Sequence, residues 1–184
     1  NAPQHGHTPR DPGAGADKTL LYMGSFMPYK NVETMIRGMA ELPDMTLHLL
    51  SRITPERRAE LEALAPAGAG IVFHNGVTDA EYEAMLGRTT ALISLSRAEG
   101  YGLPLVEAMS HGTPVIASDI PIFREVGADA ISYVHPDSPA EFAAAVRALE
   151  DPDLWKARSR RSVERTADFS WDESARRLLD VAEE

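Results

Sequence analysis

From Thr19 onward the chain alternates between short apolar runs and longer stretches in which apolar residues recur every three or four positions. Short runs rich in β-branched residues and bounded by turn residues read as buried strands. A period near 3.6 reads as helices that pack by one face. Strands are expected at Leu20–Gly24, Thr46–Ser51, Ile71–His74, Thr90–Ser94, Pro114–Ala117 and Ile131–Val134. Between them, Asn31 is placed to cap a helix over Val32–Leu42, and Thr54 with Pro55 to open Glu56–Ala65. Thr78 with Glu81, and Ser138 with Glu141, have capping-box spacing. Pro104 suits the first turn of a helix from Leu103 to about Ser110 that stops at Gly112. One helix then reaches about Leu149, another follows Asp151-Pro152, and a last one starts at Ser170 with Leu178, Leu179 and Val181 on one face. The alternation predicts a six-stranded, mostly parallel sheet covered on both faces, a Rossmann-like three-layer α/β/α unit with no internal repeat.

In such sheets ligands bind beyond the carboxyl ends of the strands. The first of those loops, Gly24-Ser25-Phe26-Met27-Pro28-Tyr29-Lys30-Asn31, is a glycine turn that brings Lys30, a point cation suited to phosphate, to a helix start. The loop after the fourth strand is Arg97-Ala98-Glu99-Gly100-Tyr101-Gly102, whose two glycines are expected to take φ values that other residues resist and to let a ligand come close. The unpaired N–H groups of the next helix start, chiefly those of Gly102 and Leu103, form an anion site. Glu99 on the loop and Glu107 one turn into the helix are expected to face the same crevice. An anion site flanked by two hydroxyl-binding carboxylates describes a nucleotide-sugar.

Composition narrows the alternatives. The chain has 184 residues, enough for one substantial core, and contains no cysteine, so disulfides and thiolate metal sites are excluded. No apolar run approaches the ~20 residues that span a bilayer and no signal-peptide pattern opens the chain, so a soluble, cytoplasmic protein with no indicated membrane contact is expected. A formal net charge of −10 argues against a nucleic-acid partner and leaves any diphosphate to be held by local cations and amides. The basic cluster Lys156-Ala157-Arg158-Ser159-Arg160-Arg161 reads as a solvated helix face. Residues 1–18, rich in Pro, Gly and Ala and beginning with what looks like a tag remnant, are expected to be a flexible linker with His5 and His7 inert; 19–184 form the domain, with crossover helices from about 152.

Glu99 and Glu107 with seven residues between, in the setting E-G-Y-G-L-P-L-V-E-A-M and followed by G-T-P-V-I-A-S-D, resemble the E-x7-E signature of retaining glycosyltransferases of the GT-B fold, family 4 type. The resemblance covers about Leu20 to Ala182 and matches only the C-terminal, donor-binding half of such an enzyme, so an acceptor domain is expected to be missing from this chain. It implies transfer of a hexose from a nucleoside-diphosphate sugar to an acceptor hydroxyl, with Lys30 and Glu99 as the catalytic pair. The remaining donor contacts are implied to come from Gly24, Ser25, Arg52, Val77, Gly100, Tyr101, Gly102, Leu103 and Glu107.

In the family an Arg follows the glycine of the first loop; here Ser25 stands there, so Arg52, or less favourably Arg97, is the candidate second cation. The backbone near Val77 is implied to meet the nucleobase, and Ser118–Val126 to form a short helix at the pocket floor with Asp119 and Glu125 structural. His74 and His111 are expected to pack and to cap rather than to react. No catalytic metal or other cofactor is expected, since no Asp-x-Asp is available to bridge Mg²⁺ to a diphosphate. The Lys-Asn variant resembles mannosyltransferase-like members, which favours GDP-mannose and leaves UDP- and ADP-sugars open. Two alternatives from other classes are a non-catalytic nucleotide-sugar-binding module and a sugar-nucleotide epimerase.

Overall fold

The computed structural model describes Arg10 and residues 17–167. The expected helix from Ser170 and the two tail histidines lie outside the described residues. Strands β1 (Thr19–Met23), β2 (Thr46–Leu50), β3 (Gly70–His74), β4 (Ala91–Ser94), β5 (Val115–Ser118) and β6 (Ser132–Val134) form one sheet in the order β3-β2-β1-β4-β5-β6. Every neighbouring pair is parallel, so the expected mostly parallel sheet is wholly parallel. The helices are α1 (Val32–Gly38), α2 (Pro55–Glu62), α3 (Asp79–Leu86), α4 (Leu103–Ser110), α5 (Pro121–Gly127), α6 (Pro139–Ala148) and α7 (Pro152–Thr166).

The strand order steps outward from β1 to β3, then returns to β4 and steps the other way. Right-handed crossovers therefore put α1 and α2 on one face and α3, α4 and α5 on the other. The pleat divides the core to match: Leu20 and Tyr22 pack with Met35, Ile36 and Phe142, while Leu21 packs on the opposite side with Leu86, Leu105 and Met109. Strands buried on both faces explain the unbroken apolar runs of β4 and β5.

Several expectations are corrected. At residue 10 the linker is anchored: the Arg10 guanidinium lies 5.1 Å from the Trp155 ring centroid and donates to Leu86 O at 3.0 Å and Thr113 Oγ1 at 2.9 Å. The basic cluster of α7 is more than a solvated face, because Arg158 donates to Asp129 O and Ile131 O and Arg161 pairs with Asp129 and Glu164. At α6, Ser138 Oγ caps Glu141 N, but Glu141 turns its carboxylate to His135 N instead of closing the box. The box at α3 closes from both sides, as expected.

Asn31 departs furthest from its expected role. Its side chain makes no cap; the residue sits in the left-handed region at φ 57°, which Asn tolerates better than most residues, and is buried. Nδ2 donates to Leu95 O at 3.0 Å and Pro136 O at 2.6 Å, and Oδ1 accepts from Thr34 Oγ1 at 2.8 Å. One amide thus ties the carboxyl ends of β1, β4 and β6. The helix that follows is shorter than expected, giving way at Met39–Glu41 to a 3₁₀ turn.

On the other face, near the free edge of the sheet, His48 and His74 stack with ring centroids 5.2 Å apart, and His48 Nδ1 lies 2.9 Å from His74 Nε2. Burial, then the neighbouring His74, lowers the His48 pKa below its ordinary 6.5, against a smaller opposing effect of Asp17. His48 also lines a recess with Asp17, Thr19, Leu21, Met85, Arg88 and Thr89 that opens toward the amino ends of β1 and β4. That recess is remote from the carboxyl-end loops.

Replacing Asn31 with Ala strands one buried and one partly buried carbonyl and forces Ala into the left-handed region, so we expect a loss of about 2–4 kcal/mol in urea unfolding. Asn31→Asp, equal in size but without the donors, should cost at least as much. For His48 the unfolded chain takes up its proton near 6.5 while the folded chain resists protonation to lower pH. The unfolded state then binds more protons, and stability falls as pH drops below that value. His48→Gln should flatten this part of a stability-versus-pH curve.

Candidate donor site

The strand order reverses between β1 and β4, and the loops leaving those two strands face each other there. Lys30, in the 3₁₀ turn Pro28–Lys30, reaches across to Glu99. Its ammonium contacts Oε1 and lies 2.9 Å from Oε2, although the two residues are 69 positions apart in sequence. Both side chains are mostly buried, at 15% and 14% exposure. The same gap is stitched by Arg97, whose N–H donates to Tyr29 O at 2.8 Å and whose guanidinium donates to Pro28 O at 3.2 Å and pairs with Asp137.

Helix α4 opens at this crevice. Gly102 takes φ 85°, and a Cβ there would stand 2.9 Å from Phe123 Cε1, so both backbone and packing require glycine. Gly100 differs from expectation: its φ is not positive, and a Cβ would meet nothing within 4 Å. What Gly100 supplies is room. Among the described residues no acceptor takes the N–H of Gly102 or Leu103, which leaves both amides and the helix dipole for an anion. Tyr101, Leu103, Met27 and Tyr29 are exposed around the opening.

Glu107 lies further along α4, its Oε2 accepting a 3.0 Å hydrogen bond from the Tyr82 hydroxyl of α3. Burial, with Glu107 beside it, raises the Tyr82 pKa, so Tyr82 stays protonated and holds the carboxylate from behind. The structure therefore joins Lys30 and Glu99 directly, and holds Glu107 separately on the helix that starts beside them.

The first loop is built on β1 itself. Gly24 turns at φ 156°, a Cβ there would lie 2.8 Å from Tyr22 Oη, and the Tyr22 hydroxyl donates to Ser25 O at 2.5 Å. Burial, then the charge of Glu99, raises the Tyr22 pKa and keeps that hydroxyl a donor. Phe26 packs on Tyr22 and Phe73, and Arg57 of α2 donates to Phe26 O at 3.3 Å while pairing with Glu33 and Glu60. Arg57 thus joins Arg97 in touching this loop, and sequence reading missed it. Arg52 is exposed after β2, and no hydrogen bond or ion pair among the described residues holds it to the site. Arg97 touches the loop but is committed to Asp137 and a carbonyl.

Val77 is partly buried against the second core, just after Gly76 at φ 95°. His111 ends α4 with Nδ1 2.9 Å from Glu107 O, the capping role expected of it. Asp119 forms two hydrogen bonds to Arg124, which lowers its pKa, and is structural. Among the described residues no group of three or more His, Asp or Glu is placed to hold a metal ion, and no helix is long and apolar enough to cross a membrane.

The chain is 29% identical over 138 residues to the O-antigen chain mannosyltransferase RfbU of Salmonella typhimurium, covering 73% of this chain and 39% of that protein. It is 29% identical to the MMP alpha-(1->4)-mannosyltransferase of Mycolicibacterium hassiacum, covering 95% of this chain and 44% of that protein. Among solved structures, sucrose-phosphate synthase from Thermosynechococcus elongatus superposes with a TM-score of 0.77 at 28% identity, over 90% of this chain and 44% of that one. The chain thus spans less than half the length of these relatives. Residues 9–167 match the model of the glycosyl transferases group 1, and the chain, with its Rossmann-like sheet and its Lys30–Glu99 crevice at the point where the strand order reverses, belongs to that glycosyltransferase family.

Proposed function

We propose that this chain is the donor-binding half of a retaining hexosyltransferase that takes a nucleoside-diphosphate sugar, with mannose as the favoured hexose and GDP as the favoured carrier. The observation that carries the reading is the meeting of Lys30 and Glu99 beside the free amides at the start of α4. An ammonium and two N–H groups suit a diphosphate, and carboxylates suit hydroxyls. In this reading Lys30 and the amides of Gly102 and Leu103 stabilise the charge that develops on the leaving diphosphate. Glu99 orients the sugar's hydroxyls, Glu107 takes those of the ribose, and backbone near Val77 meets the base.

The bond between the anomeric carbon and the diphosphate oxygen breaks with its electron pair going to the diphosphate. The acceptor oxygen bonds to that carbon, and its proton is lost to the departing diphosphate or to solvent. The acceptor is held by the part of the longer protein that this chain does not span. Mannosyl transfer draws support from the two mannosyltransferases among the relatives cited. In this reading the positive charge at the diphosphate comes from Lys30 and the α4 amides.

Thermal melting with GDP-, UDP- and ADP-sugars should show a rise for one nucleoside class, since a ligand bound by the folded form stabilises it. No shift with any of the three would refute the reading. Glu107→Ala should weaken binding of that nucleotide by about 1.5–3 kcal/mol in calorimetry, the range for a hydrogen bond to a charged group. Lys30→Ala should cost more for the diphosphate than for the monophosphate of the same nucleoside; equal losses would leave Lys30 a structural residue.

A further inference from the structure

We propose that the Lys30–Glu99 ion pair competes with the donor's diphosphate for Lys30, so that the site holds a sugar-bearing diphosphate in preference to a bare one. This rests on the donor-site reading above and adds to it a basis for discriminating donor from product. Lys30 has one ammonium, and Glu99 engages it with both carboxylate oxygens. Each side chain is about six-sevenths covered, at 15% and 14% exposure, so neither is left unpaired without cost.

A diphosphate that takes Lys30 must therefore do something for Glu99. The nearby guanidiniums offer no replacement: Arg97 is paired with Asp137, and Arg57 with Glu33 and Glu60. A bare diphosphate gives Glu99 only a second anion. A sugar attached to the diphosphate instead brings hydroxyl donors to the carboxylate while the phosphates take the ammonium, and both partners of the broken pair are satisfied.

The pair sits on a fixed backbone. The backbone of Lys30 is held by its N–H donating to Met27 O at 2.9 Å and by the buried Asn31 that follows. The Tyr29 ring centroid lies 5.3 Å from Nζ, within cation–π range for an ammonium that shifts away from Glu99. Once the hexose has passed to the acceptor, Glu99 loses its hydroxyl partners and reclaims Lys30. The same pair that resists a bare diphosphate on entry thus loosens the product for release.

The test uses the 184-residue chain and calorimetry with inorganic pyrophosphate, GDP and GDP-mannose. Glu99→Gln removes the competing charge and should bind pyrophosphate roughly tenfold more tightly than the unmodified chain. It should also lose the preference for GDP-mannose over GDP. Glu164→Gln removes an equal charge that is paired with Arg161 on α7 rather than with Lys30, and should leave pyrophosphate affinity within about twofold. An equal gain in both variants would reduce the effect to the overall negative field, and no gain in Glu99→Gln would overturn the proposal. If Glu99→Gln does not fold, Glu99→Asp, which withdraws the carboxylate by one methylene, must change affinity in the same direction or the proposal fails. Binding that weakens in Lys30→Ala but does not tighten in Glu99→Gln rejects the competition alone. No binding of any probe by the unmodified chain rejects the donor site with it.

Discussion

The carboxyl edge of this sheet depends on closing the gap that opens where the strand order reverses. On leaving β1 and β4 the chain must go to opposite faces, so the two loops diverge over a crevice with no strand to bridge it. Three contacts span that gap: the Asn31 amide beneath it, the Arg97 backbone and guanidinium on the β1 loop, and the Lys30–Glu99 pair at the top. The lowest of the three is made by a buried side chain, where a broken hydrogen bond is costly, which makes it the rigid one. The uppermost joins two charged side chains, and it is where a ligand can exchange partners.

Rigid support and exchangeable surface are kept apart in the same way around the rest of the site. Tyr22 and Arg57 hold backbone carbonyls of the first loop from below, and Tyr82 holds one oxygen of Glu107 from behind. Each of these supports is a hydrogen bond from a protonated or permanently charged donor, so it persists across ordinary pH. At the crevice itself stand the α4 amides and the ammonium of Lys30. In a chain with a net charge of −10, an anionic ligand can be held only where such local donors outweigh the general field.

The chain belongs to the glycosyl transferases group 1 family and spans less than half the length of the relatives cited. Met27, Tyr29 and Tyr101, on the segments that follow β1 and β4, and Leu103, at the start of α4, are exposed.

The sequence by itself determined whatever is settled within a few residues. All six strands fall within a residue or two of their expected ends, because apolar runs bounded by Gly, Pro and Asn restrict the backbone locally. Helix α4 begins and ends where Gly102, Pro104 and Gly112 require, for the same steric reason. The spacing of Glu99 and Glu107 was legible too, since both lie in one short loop-helix unit. The tertiary structure alone decided the partners. Asn31 looked like a cap because capping is its usual local use, yet its amide goes to Leu95 and Pro136, which only the sheet order brings near. Arg57, Tyr82 and Arg10 carried no local signal for the same reason, and Lys30 met Glu99 across 69 residues. Backbone preference is a short-range property, whereas the pairing of charges and buried amides is set by which strand lies next to which.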